Sequence, residues 1–241
     1  MDTATPDDIQ SKRDEFNGRI ATKSMAPLWD KYHGLLTPEP VIKSVPHIWQ
    51  YAEAQPMLLE AGDLITAKEA ERRVLMLENP AYPGESKATE TLFSGLQLIL
   101  PGEVAPAHRH SPNALRLVLE GTGAYSSVNG EKTYMEYGDF ITTPTWSWHD
   151  HGHEGTGPVI WQDILDVPLV RSMGTIFHEP YPEDQYPDGP PAGDSLRRYG
   201  SNMLPMGIEP TELNSPIFSY PYVKSRETIE ELAKSSDLDP Y

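Results

Sequence analysis

Short runs of alternating hydrophobic and polar residues dominate the middle of the chain, and most of them end at glycine, proline or asparagine. Such runs predict β-strands that bury one face. Asn129-Gly130 separates two of the runs, and this dipeptide is a strong signal for a β-hairpin. Many short strands joined by frequent turns favour an antiparallel sandwich or barrel. The predicted strands are 73–77, 95–100, 114–119, 124–128, 132–135, 139–142 and 159–165.

The segments on either side of these strands have a different pattern. Residues 6 to about 80 are mainly helical in pattern, beginning at Pro6-Asp7-Asp8, and the character changes near Arg73. From His178 onward the chain is rich in proline, which predicts an extended segment. Further short helices are predicted at 49–52, 67–70 and 224–235. We therefore predict an N-terminal helical arm packed on the barrel (1–72), a β-barrel with a metal site (73–177) and a proline-rich extension (178–241).

Composition and charge restrict the classes of function. The 241 residues include 36 acidic and 19 basic side chains, for a formal charge of −17. A surface of that sign repels nucleic acid and anionic membranes. No apolar run reaches the length of a membrane span, and the polar N-terminus lacks the apolar segment of a signal peptide. We expect a cytoplasmic protein with neither nucleic acid nor membrane as a partner.

Histidines are concentrated in one part of the chain. Five of the eight lie between positions 108 and 153, and there is no cysteine, so a metal site would use His, Asp or Glu. His108 and His110 are two residues apart and share one face of a strand. His149 lies on a later, returning segment. Three imidazoles bound to one metal ion leave open positions for a substrate and dioxygen.

The residues around these histidines resemble the two sequence motifs of the cupin family. The resemblance implies a mainly β fold, the double-stranded β-helix or jelly-roll barrel. One hairpin separates the two motifs, and paired motifs of this length are specific. The first motif runs from Gly102 through His108, Arg109 and His110 to Gly121, and the second from Gly138 through Pro144 to His149.

Three positions depart from the general cupin pattern. Ala114 stands where a ligating glutamate is usual, so the site should hold three histidines and no carboxylate. Trp146 stands where a glycine is usual, and His153 where an asparagine is usual. A site of nitrogen ligands with open positions resembles, in geometry, that of the non-haem iron oxygenases, which points to iron(II). The predicted ligands are His108, His110 and His149.

Arg116 is the candidate that binds an acidic substrate. Counting by twos from Ala114, Arg116 and Val118 face the same way. If that face is the barrel interior, a buried guanidinium lies beside the metal and needs an anion. Its own strand has no acidic residue on that face, so a substrate carboxylate is the expected partner. In the opposite register the leucines of the strand form the core and Arg116 meets water, but the motif favours the inward orientation.

Three longer stretches resemble the gentisate 1,2-dioxygenase family, which includes salicylate and 1-hydroxy-2-naphthoate dioxygenases. They are PGEVAPAHRHSPNALRLVLEGTGAY, GDFITTPTWSWHDHGH and PVIWQDILDVPLV. The resemblance implies an iron(II) enzyme that uses dioxygen to cleave an aromatic hydroxy acid between the carboxylate- and hydroxyl-bearing carbons. Gentisate, cleaved to maleylpyruvate, is the preferred candidate. Family members usually carry a second cupin domain, which we expect to be absent from this chain.

The same resemblance implies roles for other side chains. Arg72 becomes a second candidate for the substrate carboxylate, with Arg73 as the more exposed of the pair. His151 could hydrogen-bond the substrate hydroxyl or move a proton; the alternative is an exposed loop histidine. Asp163 is expected to orient a ligating imidazole. Further residues expected at the pocket are Phe93, Gly95, Gln97 and Trp161.

Two other functions remain open from the sequence. One is a non-catalytic cupin that binds a metal or a small acid. The other is a cupin isomerase, or a dioxygenase for a non-aromatic substrate, although the vacant glutamate position and Arg116 count against it. The sequence does not decide among gentisate, salicylates and hydroxynaphthoates, and a homo-oligomer is one open alternative for the assembly.

Overall fold

The computed structural model describes residues 5–201, 203, 206–207 and 214–234. The chain forms two compact units, Met1–Ile42 and Lys43–Tyr241. The predicted boundaries at 72/73 and 177/178 stay a prediction. In the described part of the chain, no helix is both long and apolar enough to cross a membrane.

The first unit is helical. Thr5 and Asp8 form a capping box, in which each side chain bonds the other residue's backbone N–H, and the helix begins at Pro6 as predicted. The rings of Phe16 and Trp29 stack with centroids 6.4 Å apart. The elements are α1 (Pro6–Ala21), a 3₁₀ turn (Leu28–Asp30) and α2 (Tyr32–Leu35).

The second unit is built from two antiparallel sheets. The strands are β1 (Val74–Met76), β2 (Phe93–Ile99), β3 (Val104–His110), β4 (Ala114–Glu120), β5 (Ala124–Val128), β6 (Glu131–Tyr134), β7 (Phe140–Thr143), β8 (His149–His153), β9 (Val159–Leu165), β10 (His178–Pro180) and β11 (Ser219–Tyr220). One sheet has the order β1-β2-β9-β4-β7-β11 and the other β10-β3-β8-β5-β6. Each predicted strand is present within two residues of its predicted ends, which confirms the antiparallel architecture.

The interior between the sheets holds a cluster of buried apolar side chains. Val118 and Trp161 of the six-stranded sheet pack with Ala124 of the five-stranded sheet in one fully buried cluster. Because both sheets contribute side chains to this cluster, they pack face to face, as in a β-sandwich. Trp161 of this cluster also lies beside His151, so the apolar core borders the histidines.

Helix α3 (Tyr51–Leu64) covers the outer face of the six-stranded sheet. Its Leu58 is fully buried against Leu96 and Leu98 of β2 and Ile160 of β9. Strand β2 is therefore buried on both faces, with Leu96 and Leu98 under the helix and Gln97 facing the barrel interior. This explains why β2 is apolar along most of its length instead of strictly alternating.

The hairpin between β5 and β6 has the predicted turn. Asn129 and Gly130 have φ values of +49° and +85°, and Val128 pairs with Glu131 across the turn. Two consecutive positive φ values define a type I′ turn, which suits the twist of the flanking strands.

Other segments differ from prediction. Residues 67–70 form a turn and not a helix. Thr66 and Glu69 cap each other as at a helix start, but the positive φ of Glu71, +55°, ends the structure after one turn. Pro56 lies inside α3 and does not end the helix. The proline-rich segment contains short elements besides extended chain. The helices after the barrel are α4 (Val167–Ser172), α5 (Asp194–Tyr199) and α6 (Tyr222–Ala233); α6 begins two residues before the predicted helix 224–235, whose last residue is not described.

Candidate metal centre

Three histidine side chains converge at one end of the barrel. His108 and His110 lie on β3, and His149 begins β8 directly opposite His108 in the strand register. One potential ligand atom from each lies within 4.8 Å of the others. The ring centroid of His149 is 4.6 Å from that of His108 and 4.7 Å from that of His110. The structure thus brings together the predicted trio, in an arrangement that fits a single metal ion.

Backbone carbonyls orient two of these rings. His110 Nδ1 lies 2.8 Å from the carbonyl oxygen of Pro112, and His149 Nδ1 lies 3.0 Å from that of Ser147. A carbonyl oxygen only accepts, so each Nδ1–H donates and each Nε2 keeps its lone pair. The buried Nε2 of His149 has no hydrogen-bond partner in the described structure. A metal ion is the partner that such an orphaned lone pair fits.

The three imidazoles are held in the neutral form that metals require. Burial, reinforced by the positive charge of Arg72, lowers the pKa of His108 to about 2. Burial, with the charge of Arg116, lowers the pKa of His110 to about 4. Burial also places the pKa of His149 well below its ordinary value. The ligands therefore need no deprotonation before a metal binds near neutral pH.

Trp146 explains one departure from the cupin motif. Its φ is +60°, in the left-handed region where glycine is the usual residue. Its backbone N–H donates to the carbonyl of His110 at 2.8 Å, and its ring packs on Phe177 with centroids 4.6 Å apart. The Arg109 guanidinium lies over both Trp146 and Trp148, 4.3 and 4.4 Å from the ring centroids. These contacts offset the strain of the tryptophan backbone.

His153, the other departure in the second motif, has a structural role. It is buried, and its Nδ1 accepts from the Gly155 N–H at 3.1 Å. Its Nε2–H then donates to the Gly157 carbonyl at 2.6 Å. The ring thereby fastens the loop between β8 and β9 and does not reach the trio.

A cavity of about 350 Å³ opens at the histidine trio. Arg72, Arg116 and Asp163 line its inner end beside the histidines, and Phe93 and Gln97 line a wall of it. A volume of this size accommodates a single aromatic acid. The walls combine apolar surface with a small number of charged groups, as is typical of small-molecule sites.

Arg116 points into the barrel, as the motif register predicted. It is 3% exposed, and its Nη1 donates to Thr143 Oγ1 at 2.7 Å. However, Arg116 already has an acidic neighbour, because its Nε lies 3.1 Å from Asp163 Oδ1 on the adjacent strand β9. The sequence of one strand does not show this neighbour, because Asp163 belongs to the next strand in the sheet. The substrate carboxylate as a partner of Arg116 stays a prediction.

Asp163 makes no hydrogen bond to any of the three histidines among the described residues, so the predicted contact with a ligating imidazole is not found there. Carbonyl oxygens hold His110 and His149, whereas Asp163 is paired with Arg116. Burial raises the pKa of Asp163, and the charge of Arg116 opposes that rise. Asp163 lines the cavity, so it shapes the substrate end of the site instead.

Of the two consecutive arginines, Arg72 lies at the site as predicted, whereas Arg73 is buried and not exposed. Arg72 is half-buried; its Nη1 donates to the Pro106 carbonyl at 2.9 Å, and its Nη2 lies 3.4 Å from His108 Nε2. Burial and the charge of Arg116 lower the pKa of Arg72 to about 10, which leaves it a cation. Arg73 was predicted to be the surface residue, but it is 3% exposed and forms an ion pair with Glu103.

The remaining predicted pocket residues fall into two groups. Phe93 and Gln97 line the cavity, and Gly95 lies between them on β2, where an added Cβ would lie 2.4 Å from Val74 Cγ1. Trp161 and His151 are fully buried, with ring centroids 5.4 Å apart, and neither lines the cavity. Both ring nitrogens of His151 lack a hydrogen-bond partner in the part of the chain that the structure describes.

Sequence reasoning missed several cavity residues. Val74 and Met76 come from β1, Ser86 from the loop after it, and Val167 and Arg171 from α4. None lies in a cupin motif, and no local pattern marks them as functional. Only the four-residue spacing of Val167 and Arg171, which places them on one helix face, could have linked them to each other.

A three-histidine site inside two facing antiparallel sheets defines a metal-binding cupin. The Cupin domain family matches residues 95–168. The chain is 50% identical over 232 residues to gentisate 1,2 dioxygenase 1 of Aquipseudomonas alcaligenes, which covers 96% of this chain and 67% of that protein. It is 40% identical to a Ralstonia gentisate 1,2-dioxygenase, over 91% of this chain and 62% of the relative. The chain belongs to the gentisate 1,2-dioxygenase family.

Solved structures agree with this assignment. The salicylate 1,2-dioxygenase of Pseudoaminobacter salicylatoxidans, in its adduct with gentisate, superposes with a TM-score of 0.80 at 30% identity. The match covers 100% of this chain and 67% of that one. The chain thus spans about two thirds of the length of the relatives it matches. The cupin fold predicted from the motifs is confirmed.

Proposed function

We propose that this protein is an iron(II)-dependent dioxygenase that cleaves the ring of an aromatic hydroxy acid, with gentisate as the preferred substrate. The observation that carries the proposal is the cavity in which three neutral histidines meet two inward arginines. Salicylate and 1-hydroxy-2-naphthoate are the alternative substrates. Membership of the family supports the reaction class.

The donor set fits iron(II). His108, His110 and His149 would hold it through three neutral nitrogens, and no carboxylate joins the trio among the described residues. Such a set leaves coordination positions open for substrate and dioxygen. When bound, iron(II) supplies the electron transfer between ring and dioxygen that their direct reaction lacks.

The arginines bind and orient the substrate. Arg116 and Arg72 place two positive charges at the inner end of a cavity in a chain of net charge −17. Asp163 offsets part of the charge of Arg116, but the two arginines together still leave a net positive charge at the inner end. That charge attracts one carboxylate. Fixing the carboxylate there presents the adjacent hydroxyl-bearing carbon to the histidine trio. Phe93 lies along the cavity wall and excludes water from the ring.

The proposed reaction needs no further oxidant or reductant. The bond between the carboxylate-bearing and hydroxyl-bearing ring carbons breaks, and both atoms of one dioxygen enter the open-chain product. With gentisate that product is maleylpyruvate. His151 is the group predicted to hydrogen-bond the substrate hydroxyl or to move its proton. Its ring is fully buried next to that of His149, and mutation of His151 would test the predicted role.

Isotope incorporation tests the proposal. Iron(II)-loaded protein is incubated with gentisate under ¹⁸O₂, and the product is analysed by mass spectrometry. The proposal predicts an open-chain product with both labelled atoms. Intact gentisate, despite one iron bound per chain, would contradict it and favour a cupin that only binds metal or a small acid.

We also propose that the protein acts in the cytoplasm. A homo-oligomer stays a prediction, which the mass of the purified protein in solution would test.

A further inference from the structure

Among the residues that the structure describes, one cationic side chain at the cavity has no partner. Arg116 contacts Asp163 and Thr143, and Arg72 donates to backbone carbonyls. Arg171 lines the same cavity and is exposed, and its guanidinium makes no hydrogen bond or ion pair with any residue in the described ranges. In a chain with almost twice as many acidic as basic residues, an unpaired arginine at a cavity mouth is available for a ligand.

The position of Arg171 is fixed by its helix. Val167 and Arg171 are four residues apart on α4, so they share a face, and Arg171 lies about 6 Å farther along the axis. The helix is anchored by buried Pro168 and Val170. Asp166, just before it, accepts hydrogen bonds from Asn113. Arg171 therefore extends from a fixed support at the outer end of the cavity.

A hydroxyl lines the same cavity from another element. Ser86 belongs to the loop between β1 and β2. Its backbone has a φ of +56°, and its N–H donates to Glu78 at 2.8 Å. The loop meets α4 where the Leu169 N–H approaches the Thr91 carbonyl at 3.4 Å. A left-handed serine held by a carboxylate is typical of a residue positioned for a ligand.

We propose that Arg171 and Ser86 form a second polar subsite, which selects aromatic 2-hydroxy acids with a polar or anionic substituent at C4 or C5. This inference rests on the proposed function. A substrate held at the histidine end by its carboxylate and hydroxyl has C4 and C5 on its opposite edge. That edge faces the mouth, where the guanidinium can donate to a hydroxyl, a nitro group or a second carboxylate.

Anaerobic titration of the iron(II)-loaded protein tests the subsite without turnover. Salicylate, gentisate and 5-carboxysalicylate share the chelating edge and differ only at C5. Each is titrated, by the change in the optical spectrum, into wild type, Arg171→Gln and Ser86→Ala. Arg198→Gln is the matched control, because it removes an exposed arginine from α5 that does not line the cavity.

The subsite predicts selective losses. Arg171→Gln weakens gentisate binding about fivefold and 5-carboxysalicylate binding about tenfold, while salicylate binding is unchanged. Ser86→Ala weakens gentisate binding about twofold, and Arg198→Gln affects no ligand. Equal losses for the three acids, or none, would overturn the subsite while leaving the proposed function intact. Failure of all three acids to perturb the wild-type spectrum would overturn the proposed function, and the subsite with it.

Discussion

At the scale of single residues, the site depends on side chains that the backbone holds in one chemical state. Carbonyl oxygens fix the tautomers of His110 and His149, and burial keeps both rings neutral. The arginines, in contrast, stay charged and can bind an anion. Because Arg116 already touches Asp163, its effect on the fold and its effect on the substrate must be measured separately.

Substituting Arg116 separates these two effects. Arg116→Gln leaves Asp163 buried and unpaired, so we expect a loss of about 3–5 kcal/mol in unfolding free energy and at least a tenfold rise in KM for gentisate. The double variant Arg116→Gln/Asp163→Asn has no unpaired charge, so it should regain most of the stability but keep the high KM. Denaturant unfolding and steady-state kinetics measure the two quantities. A normal KM in the double variant would show that Arg116 acts only through the fold.

Trp146 permits a test of backbone strain. Trp146→Gly and Trp146→Ala both remove the ring from Phe177 and Arg109, but only glycine adopts a φ of +60° without strain. We expect Trp146→Gly to be more stable than Trp146→Ala by about 1 kcal/mol in urea unfolding. Equal stability of the two variants would contradict the left-handed conformation.

At the scale of elements, the site is assembled where strands of both sheets end near α4. Strands β3 and β8 carry the ligands, yet neither has a hydrophobic alternation that predicts a strand. Pro106 interrupts β3, and β8 reads His-Asp-His-Gly-His. In these two strands histidines occupy inward positions at which a core strand has apolar residues. Only the spacing of the cupin motifs therefore identified the two strands. The seven strands that the hydrophobic pattern predicted form most of the two sheets, whereas the short edge strands β10 and β11 were not predicted.

We predict that the close approach of β1 to β2 at Gly95 sets the width of the cavity. Gly95→Ala places a methyl group against Val74, which lines the cavity, and should push that side chain inward. We expect about a tenfold loss of kcat/KM for 1-hydroxy-2-naphthoate, whose second ring needs more space, and a smaller loss for salicylate. Adding Val74→Ala should restore much of the activity. Equal losses for both acids, without such recovery, would contradict this account of the wall.

The sequence predicted the ligands and missed the mouth of the cavity for a physical reason. His108 and His110 share one strand face, and the spacing of the two cupin motifs linked them to His149, which follows after four intervening strands. Arg171 and Ser86 reach the cavity only after α4 and the loop beyond β1 have packed. Asp163 was recognised, but its pairing with Arg116 depends on the order of β4 and β9 in the sheet. Contacts between distant segments leave no local pattern.

At the scale of the whole molecule, the buried imidazoles link the fold to pH. The pKa of His108 is lowered to about 2 and that of His110 to about 4, whereas the unfolded chain titrates near the ordinary value of 6.5. Below that value the unfolded state binds protons that the folded state excludes. Stability is therefore complete above pH 6.5 and falls as the pH falls toward 4.

This pH dependence can be measured on metal-free protein. We expect the unfolding free energy to fall by about 1.4 kcal/mol per pH unit for each such histidine between pH 6 and pH 4. His110→Asn should remove the contribution of one histidine from this pH dependence. Urea unfolding at several pH values measures the change. An unchanged slope in this variant would contradict the burial of a neutral His110.

The whole molecule combines a strongly acidic chain with a cationic cavity that leads to three neutral histidines. Oxygen uptake by the iron(II)-loaded protein, with gentisate, salicylate and 1-hydroxy-2-naphthoate in parallel, tests this arrangement most directly. Our account predicts one dioxygen consumed per ring cleaved, fastest with gentisate, and no uptake in His149→Ala, which loses a ligand. No uptake with any of the three acids, at one iron bound per chain, would contradict it.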